Sequence, residues 1–186
     1  MLKSFTEWVS SVNEEENSTF KFGCAMLYFN FPKMKQLHSK IKESDIYTED
    51  GDRSFGLETE PHITLLYGLH KNVTKSKVFE ICKSATYPKT ITLTNPSLFT
   101  NDKYDVLKFD IHSKAINTIN SALSKLPHTT DYPDYHAHAT IGYLKSGKGQ
   151  LYVDLFKGIK FKVSPTKVVY STPSGEKFEF QIESSN

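Results

Sequence analysis

The chain has little cysteine, a single arginine, little net charge and no long apolar run, and each shortage excludes something. Cys24 and Cys82 are the only cysteines. Two do not make a disulfide framework, so they read as buried, inert thiols of a reducing, cytoplasmic compartment. With Arg53 the only arginine, a phosphate would be held by lysines, hydroxyls, histidines or backbone amides rather than by guanidinium forks. The formal net charge is +2 at pH 7. A domain that wraps long nucleic acid carries a strong basic excess, so no long nucleic acid is expected as a partner. A small anion in one pocket stays open. Nothing approaches the roughly 18 consecutive apolar residues of a membrane span. The opening run, MLKSFTEWVSSVNEEENS, lacks the apolar core of a signal peptide, so neither membrane nor secretion is expected.

What is present suits one substantial domain. The chain has 186 residues, with 13 phenylalanines and 10 tyrosines as bulky core material. Residues 1–18 read as an appendage, a short amphipathic helix with Leu2, Phe5, Val9 and Val12 on one side and Trp8 packing; residues 19–186 read as the domain. Strands are predicted over 19–30, 61–69, 89–99, 104–112, 136–144, 159–163, 167–171 and 177–182, where apolar and β-branched residues concentrate. Helices are predicted over 32–44, 74–85 and 113–126, from Met34, Leu37 and Ile41, from Val78, Ile81 and Cys82, and from Ile116, Ile119, Leu123 and Leu126. Gly147 to Gly149 reads as a break. The order predicts an α+β architecture of curved antiparallel sheets with helices outside.

One short repeat stands out. His62-Ile63-Thr64-Leu65-Leu66-Tyr67 aligns with His138-Ala139-Thr140-Ile141-Gly142-Tyr143. Both copies read His-x-Thr with a tyrosine at the same offset. On a strand the side-chain period is two, so His and Thr of each copy share one face. By the same rule Ile63, Leu65 and Tyr67 take the other face, as do Ala139, Ile141 and Tyr143. His128-Thr129-Thr130 also fits the short pattern, but it sits in a loop after Pro127 and lacks the tyrosine.

Two such strands side by side bring together two imidazoles and two hydroxyls. Phosphodiester cleavage without a cofactor needs that set. One imidazole accepts the proton of the attacking hydroxyl, and the other donates to the leaving oxygen. The hydroxyls hold non-bridging phosphate oxygens. The pattern leaves open which histidine does which.

Paired His-x-Thr strands in a chain of this size resemble the 2H phosphoesterase superfamily. Within it, the segments Pro61–Leu69 and Tyr135–Tyr143 look most like the phage anti-CBASS nucleases, which degrade the cyclic oligonucleotide messengers of bacterial antiviral immunity. The resemblance spans roughly residues 19 to 182. It implies a bilobal α+β fold of two pseudo-symmetric antiparallel-sheet lobes with outer helices and a central groove. It also implies metal-independent cleavage with no cofactor, catalytic roles for His62, Thr64, His138 and Thr140, and a cyclic di- or trinucleotide substrate.

Further residues are candidates for substrate binding. Tyr28, near the end of the first strand, could stack on a base, and Glu176 and Phe178 beside the last turn could read a base edge and face. His136 forms His-x-His with His138, but only Asp131 or Asp134 could supply a third ligand, so a place beside the phosphate is favoured over a metal. Asp50-Gly51-Asp52 lacks the rest of a calcium loop. Competing readings are a phosphodiesterase for RNA ends or 2′-5′ oligoadenylate, and a non-catalytic sponge. Two intact His-x-Thr motifs speak against the sponge, which needs no acid and base.

Overall fold

A computed structural model describes residues 21–52, 54–132 and 134–182. The helix read in residues 1–18, with Trp8, lies outside them. Along the described chain run β1 (Gly23–Asn30), α1 (Met34–His38), β2 (His62–Leu69), α2 (Lys75–Ser84), β3 (Ile91–Thr100), β4 (Tyr104–Ile111), α3 (Lys114–Leu123), β5 (His138–Lys145), α4 (Gly149–Phe156), β6 (Phe161–Ser171) and β7 (Lys177–Gln181). The α+β expectation holds.

The strands form one open antiparallel sheet in the order β2-β1-β6-β3-β4-β5, with β7 added to β6. Strand β6 joins two halves: residues 161–163 pair with β3, and residues 164–171 pair with β1. One half is therefore β2-β1-β6-β7 and the other β6-β3-β4-β5. The strand order ends in β2 and β5, which nonetheless lie beside each other without sharing a ladder. This curl brings the two His-x-Thr copies together.

Helices cover one face of the sheet. Val78 and Cys82 of α2, Ile116, Ile119 and Leu123 of α3, and Tyr152 and Phe156 of α4 pack with Leu27, Ile63, Leu65, Ala139 and Ile141 in one core. Each fully buried aliphatic side chain contributes about 1.5–3 kcal/mol, so this layer dominates the stability. The helix starts are locally encoded. The Thr74 side chain accepts from Lys77 N, and the Ser113 side chain accepts from Ile116 N.

Three elements differ from the sequence reading. Helix α4 was not expected, because Leu151 and Leu155 remain exposed and blur its apolar period; Tyr152 and Phe156, one turn apart, carry its packing. Strand β6 runs unbroken where the sequence reading had two strands, over 159–163 and 167–171. The β3 pairing stops at Val163 and the β7 pairing starts at Lys167, so Pro165 sits where one side of the strand needs no N–H. Helix α1 ends at His38, and Lys40 N and Ile41 N then bond to Leu37 O and His38 O in tighter i→i−3 turns.

Candidate active site

The face opposite the helices carries the repeated motif. In β1, Tyr28 pairs with His62 and Met26 with Thr64; in β4, Asp110 pairs with His138 and Lys108 with Thr140. Directly opposed residues of an antiparallel pair share a face. The expectation that His and Thr of each copy share a face, with Ile63 and Ala139 in the core, therefore holds.

The two tyrosines do not follow the simple alternation. In β2 the partner of Met26 is Thr64, but the partner of Ala25 is Leu66, so Leu65 is an extra residue. In β5 the partner of Lys108 is Thr140, but the partner of Leu107 is Gly142, so Ile141 is extra. A β-bulge inserts one residue and resets the side-chain alternation. Tyr67 thereby joins Cys24, Met26 and Tyr28 on the histidine face, and Tyr143 joins Val106. The sequence reading placed both tyrosines with the core, and the paired bulges correct it.

Each bulge carbonyl is held by a helix side chain. Asn120 Nδ2 of α3 donates to Leu65 O at 2.7 Å. His38 Nε2 at the end of α1 bonds Ile141 O at 3.0 Å, and Glu58 N donates to the same oxygen at 3.0 Å. A buried carbonyl freed from a ladder needs such a partner. The Tyr135 hydroxyl donates to Thr64 O at 2.8 Å, tying the segment before β5 to β2.

Both motif histidines are fixed in the same manner. His62 Nδ1 bonds Glu60 O at 2.8 Å, and His138 Nδ1 bonds His136 O at 2.8 Å. A carbonyl only accepts, so Nδ1 carries the hydrogen in each ring. In the neutral ring Nε2 then holds the lone pair. Each imidazole thus presents a nitrogen able to accept or donate a proton.

Their surroundings match in kind and differ in burial and charge. An aromatic ring flanks each imidazole: Tyr28 stacks on His62 with centroids 5.5 Å apart, and Phe99 meets His138 edge-on at 5.0 Å. A lysine lies over each of those rings, Lys167 over Tyr28 at 5.5 Å and Lys108 over Phe99 at 4.3 Å. Each lysine pairs with a carboxylate, Lys167 Nζ with Glu179 at 2.6 Å and Lys108 Nζ with Asp110 at 2.7 Å. Lys108 also donates to Ser97 Oγ at 2.7 Å. Burial favours the neutral acid of Asp110, but the bonds from Lys108 and Ser97 hold it below the ordinary carboxylate range.

The difference lies at the imidazoles. A Glu58 carboxylate oxygen stands 3.8 Å from His62 Nδ1. His138 is pushed down to about 4, first by burial and further by the positive charges of Lys108 and His62; its bond to His136 O and the Asp110 charge act the other way. The two rings are thus close enough to influence each other. Beside them, burial raises the Cys24 thiol to about 12, with the Thr64 hydroxyl opposing, so the thiol stays protonated. Cys24 and Cys82 are both buried and free, as the sequence suggested.

The remaining candidates separate. Tyr28 lies at the site. His136 precedes β5 and is exposed; it reaches His138 through its carbonyl rather than its ring. Glu176 is exposed in the β6–β7 turn and bonds Ser174 Oγ. Phe178 pairs with the buried Tyr170, packs against the core and lies under Lys75, so it is on the helix-covered face. The groove-side carboxylate of β7 is Glu179. Among the described residues no group of three or more His, Cys, Asp or Glu could hold a metal ion. No described helix is long and apolar enough to cross a membrane. Sequence reasoning missed Lys108, Asp110 and Phe99, although Lys108 and Asp110 stand two apart in YDVLKFDI, a same-face charged pair in an otherwise apolar strand.

No protein-family model matches the sequence, and no curated protein does. Solved structures do match the fold. Kluyveromyces marxianus Usb1 is similar with a TM-score of 0.58 at 10% identity, over 88% of this chain and 99% of that one. Usb1 with uridine monophosphate is similar with a TM-score of 0.52 at 10% identity, over 87% and 99%. A looser likeness, with a TM-score of 0.48 at 12% identity over 88% and 95%, is to E. coli LigT complexed with 3′-AMP. At such identities the Usb1 likeness establishes a shared fold.

Proposed function

We propose that the chain is a metal-independent phosphodiesterase in which His62, Thr64, His138 and Thr140 act on one phosphate. Its proposed substrates are 3′,5′-linked cyclic di- or trinucleotides, cleaved in the cytoplasm of an infected bacterium to counter CBASS immunity for a phage. The observation that carries the reading is the matched anchoring of two imidazoles. Each is locked through Nδ1 to a carbonyl two residues before it, with a threonine two residues after it on the same face, and the two differ in their burial and in the charge beside them. The sequence resemblance to anti-CBASS nucleases supplies the cyclic substrate, and the uridine monophosphate held by Usb1 is in keeping with a nucleotide ligand on this fold.

The electrostatics favour one assignment of the roles within this proposal. His138, held neutral by burial and Lys108, is the base. His62, with the Glu58 carboxylate beside its Nδ1, is the acid. In the first step His138 Nε2 takes the proton of the ribose 2′-OH next to the scissile phosphate. The 2′ oxygen bonds to phosphorus, the bond to the 5′ oxygen breaks, and His62 Nε2 protonates that oxygen. The products are a 2′,3′-cyclic phosphate and a 5′-hydroxyl. Thr64 and Thr140 hydroxyls hold the non-bridging oxygens, where a well-placed donor contributes about 3–4 kcal/mol to the transition state. A substrate with 2′-O-methyl ribose at that position should therefore resist cleavage.

The test is a panel of cyclic and linear oligonucleotides, 3′-5′ and 2′-5′ linked, incubated with chelator and read by chromatography and mass. The reading expects turnover of 3′-5′ cyclic substrates, unchanged by chelation. Preference for 2′-5′ linkages or RNA ends would move the substrate assignment to those classes. Activity restored only by a divalent ion would overturn the metal-free chemistry, and binding without turnover would indicate a sponge.

A further inference from the structure

A second concavity lies beside His138. It has a volume of about 850 Å³, and its lining includes Phe99, Lys108, His112, Lys114, Asn117 and His136. His62, Thr64, His138 and Thr140 do not line it. It is nevertheless contiguous with them: Asp110 and Ala137 on its wall are the ladder partner and the chain neighbour of His138, and Phe99 packs on the His138 ring. We propose that this cavity is a subsite for a second phosphate and its nucleoside, on the 2′-OH side of the scissile bond, so that the enzyme selects substrates carrying at least two phosphates. The proposal rests on the phosphodiesterase reading and deepens it.

The chemistry of the walls fits that ligand. Among the described residues Asp110 is the only carboxylate on them, and Lys108 already pairs with it at 2.7 Å. Lys114 is exposed to solvent and pairs with no carboxylate among the described residues, and exposed His112 and His136 supply further ring N–H donors. With Arg53 the only arginine of the chain, such a set of lysine, histidine and amide donors is how this protein can hold a phosphate. Phe99, 39% exposed, offers an aromatic surface to a base at the mouth. A volume of this order accommodates a ligand of nucleotide size or larger. The placement beside the proposed base, His138, sets the direction: the nucleoside that loses its 2′ proton lies here, and its own 5′-phosphate reaches Lys114. In a cyclic substrate that phosphate is always present.

The experiment compares a dinucleoside monophosphate, with one phosphodiester, against the same compound bearing a 5′-phosphate, using wild-type protein and the exposed-site double variant His112→Ala/Lys114→Ala. The wild type should favour the 5′-phosphorylated compound in kcat/KM by about tenfold or more, the scale of one charge-assisted contact. The variant should lose that preference, cleaving the two compounds with equal kcat/KM. Equal cleavage of both compounds by the wild type, or an equal loss on both in the variant, would overturn the subsite. Equilibrium binding of the 2′-deoxy forms of the two compounds gives the same ratio without turnover. A preference seen in binding, with no cleavage of the ribose forms or of a 3′-5′ cyclic dinucleotide, would keep the subsite and sink the phosphodiesterase. Cleavage with no binding preference would do the reverse.

Discussion

At the residue scale, the anchoring of His62 and His138 through Nδ1 makes the pH dependence of the reaction predictable. As the proposed base His138 must be neutral to accept a proton, and its pKa is pushed down to about 4, chiefly by burial. The acidic limb of kcat/KM should therefore fall only as pH drops towards 4, well below the ordinary histidine value of about 6.5. Replacing Lys108 by Met removes one of the positive charges that disfavour the cation, so the acidic limb should move to higher pH. A rate profile of the two proteins checks both statements; a limb that stays put in Lys108→Met would show that the lysine does not set the base. His62→Ala and His138→Ala should each cut turnover by roughly two to four powers of ten. Because both act in one step of the proposed reaction, the double variant should be little worse than the poorer single one. Substrate binding should weaken far less, which titration of the inactive variants will read.

At the element scale, the paired bulges decide which side chains reach the site, and their helix supports should be measurable. Asn120→Ala leaves the buried Leu65 carbonyl without its donor, a cost of about 1–3 kcal/mol. Thermal melting should register that loss, and turnover should fall as β2 loses its fixed register beside Tyr135. An unchanged melting point would mean that the bulge is held by the ladder alone. The His-x-Thr alternation was legible because local period two holds up to Leu65 and Ile141, so the shared face of His62 and Thr64 followed from sequence. Tyr67 and Tyr143 were misplaced because a bulge has no signature in strands made of ordinary apolar residues. Phe178 was misjudged for a related reason: β7 alternates cleanly, but its face is set by register with β6, which no local pattern records. Helix α4 escaped because tertiary contact through Tyr152 and Phe156 outweighs its blurred periodicity.

At the scale of the molecule, the closeness of β2 and β5 depends on loops that clasp their ends. Gly68, at φ +92, is a second extra residue in β2, and a Cβ there would sit 1.8 Å from Thr129 O. Thr129 N in turn donates to Gly68 O at 3.0 Å. Gly68→Ala should therefore push the 127–130 segment off the strand and lower stability by roughly 1–3 kcal/mol or more, visible in denaturant unfolding. The approach of the two halves was legible only as an implication of the paired motif; which strands meet follows from the curl of the sheet and from β6 serving both halves. The central claim is that two metal-free imidazoles drive attack by the substrate's own 2′-OH. The most direct measurement is the mass of the first product released from a 3′-5′ cyclic dinucleotide in excess chelator. The account predicts a linear isomer of unchanged mass, ending in a 2′,3′-cyclic phosphate and a 5′-hydroxyl. A first product heavier by one water, with oxygen-18 from labelled solvent already on phosphorus, would contradict it.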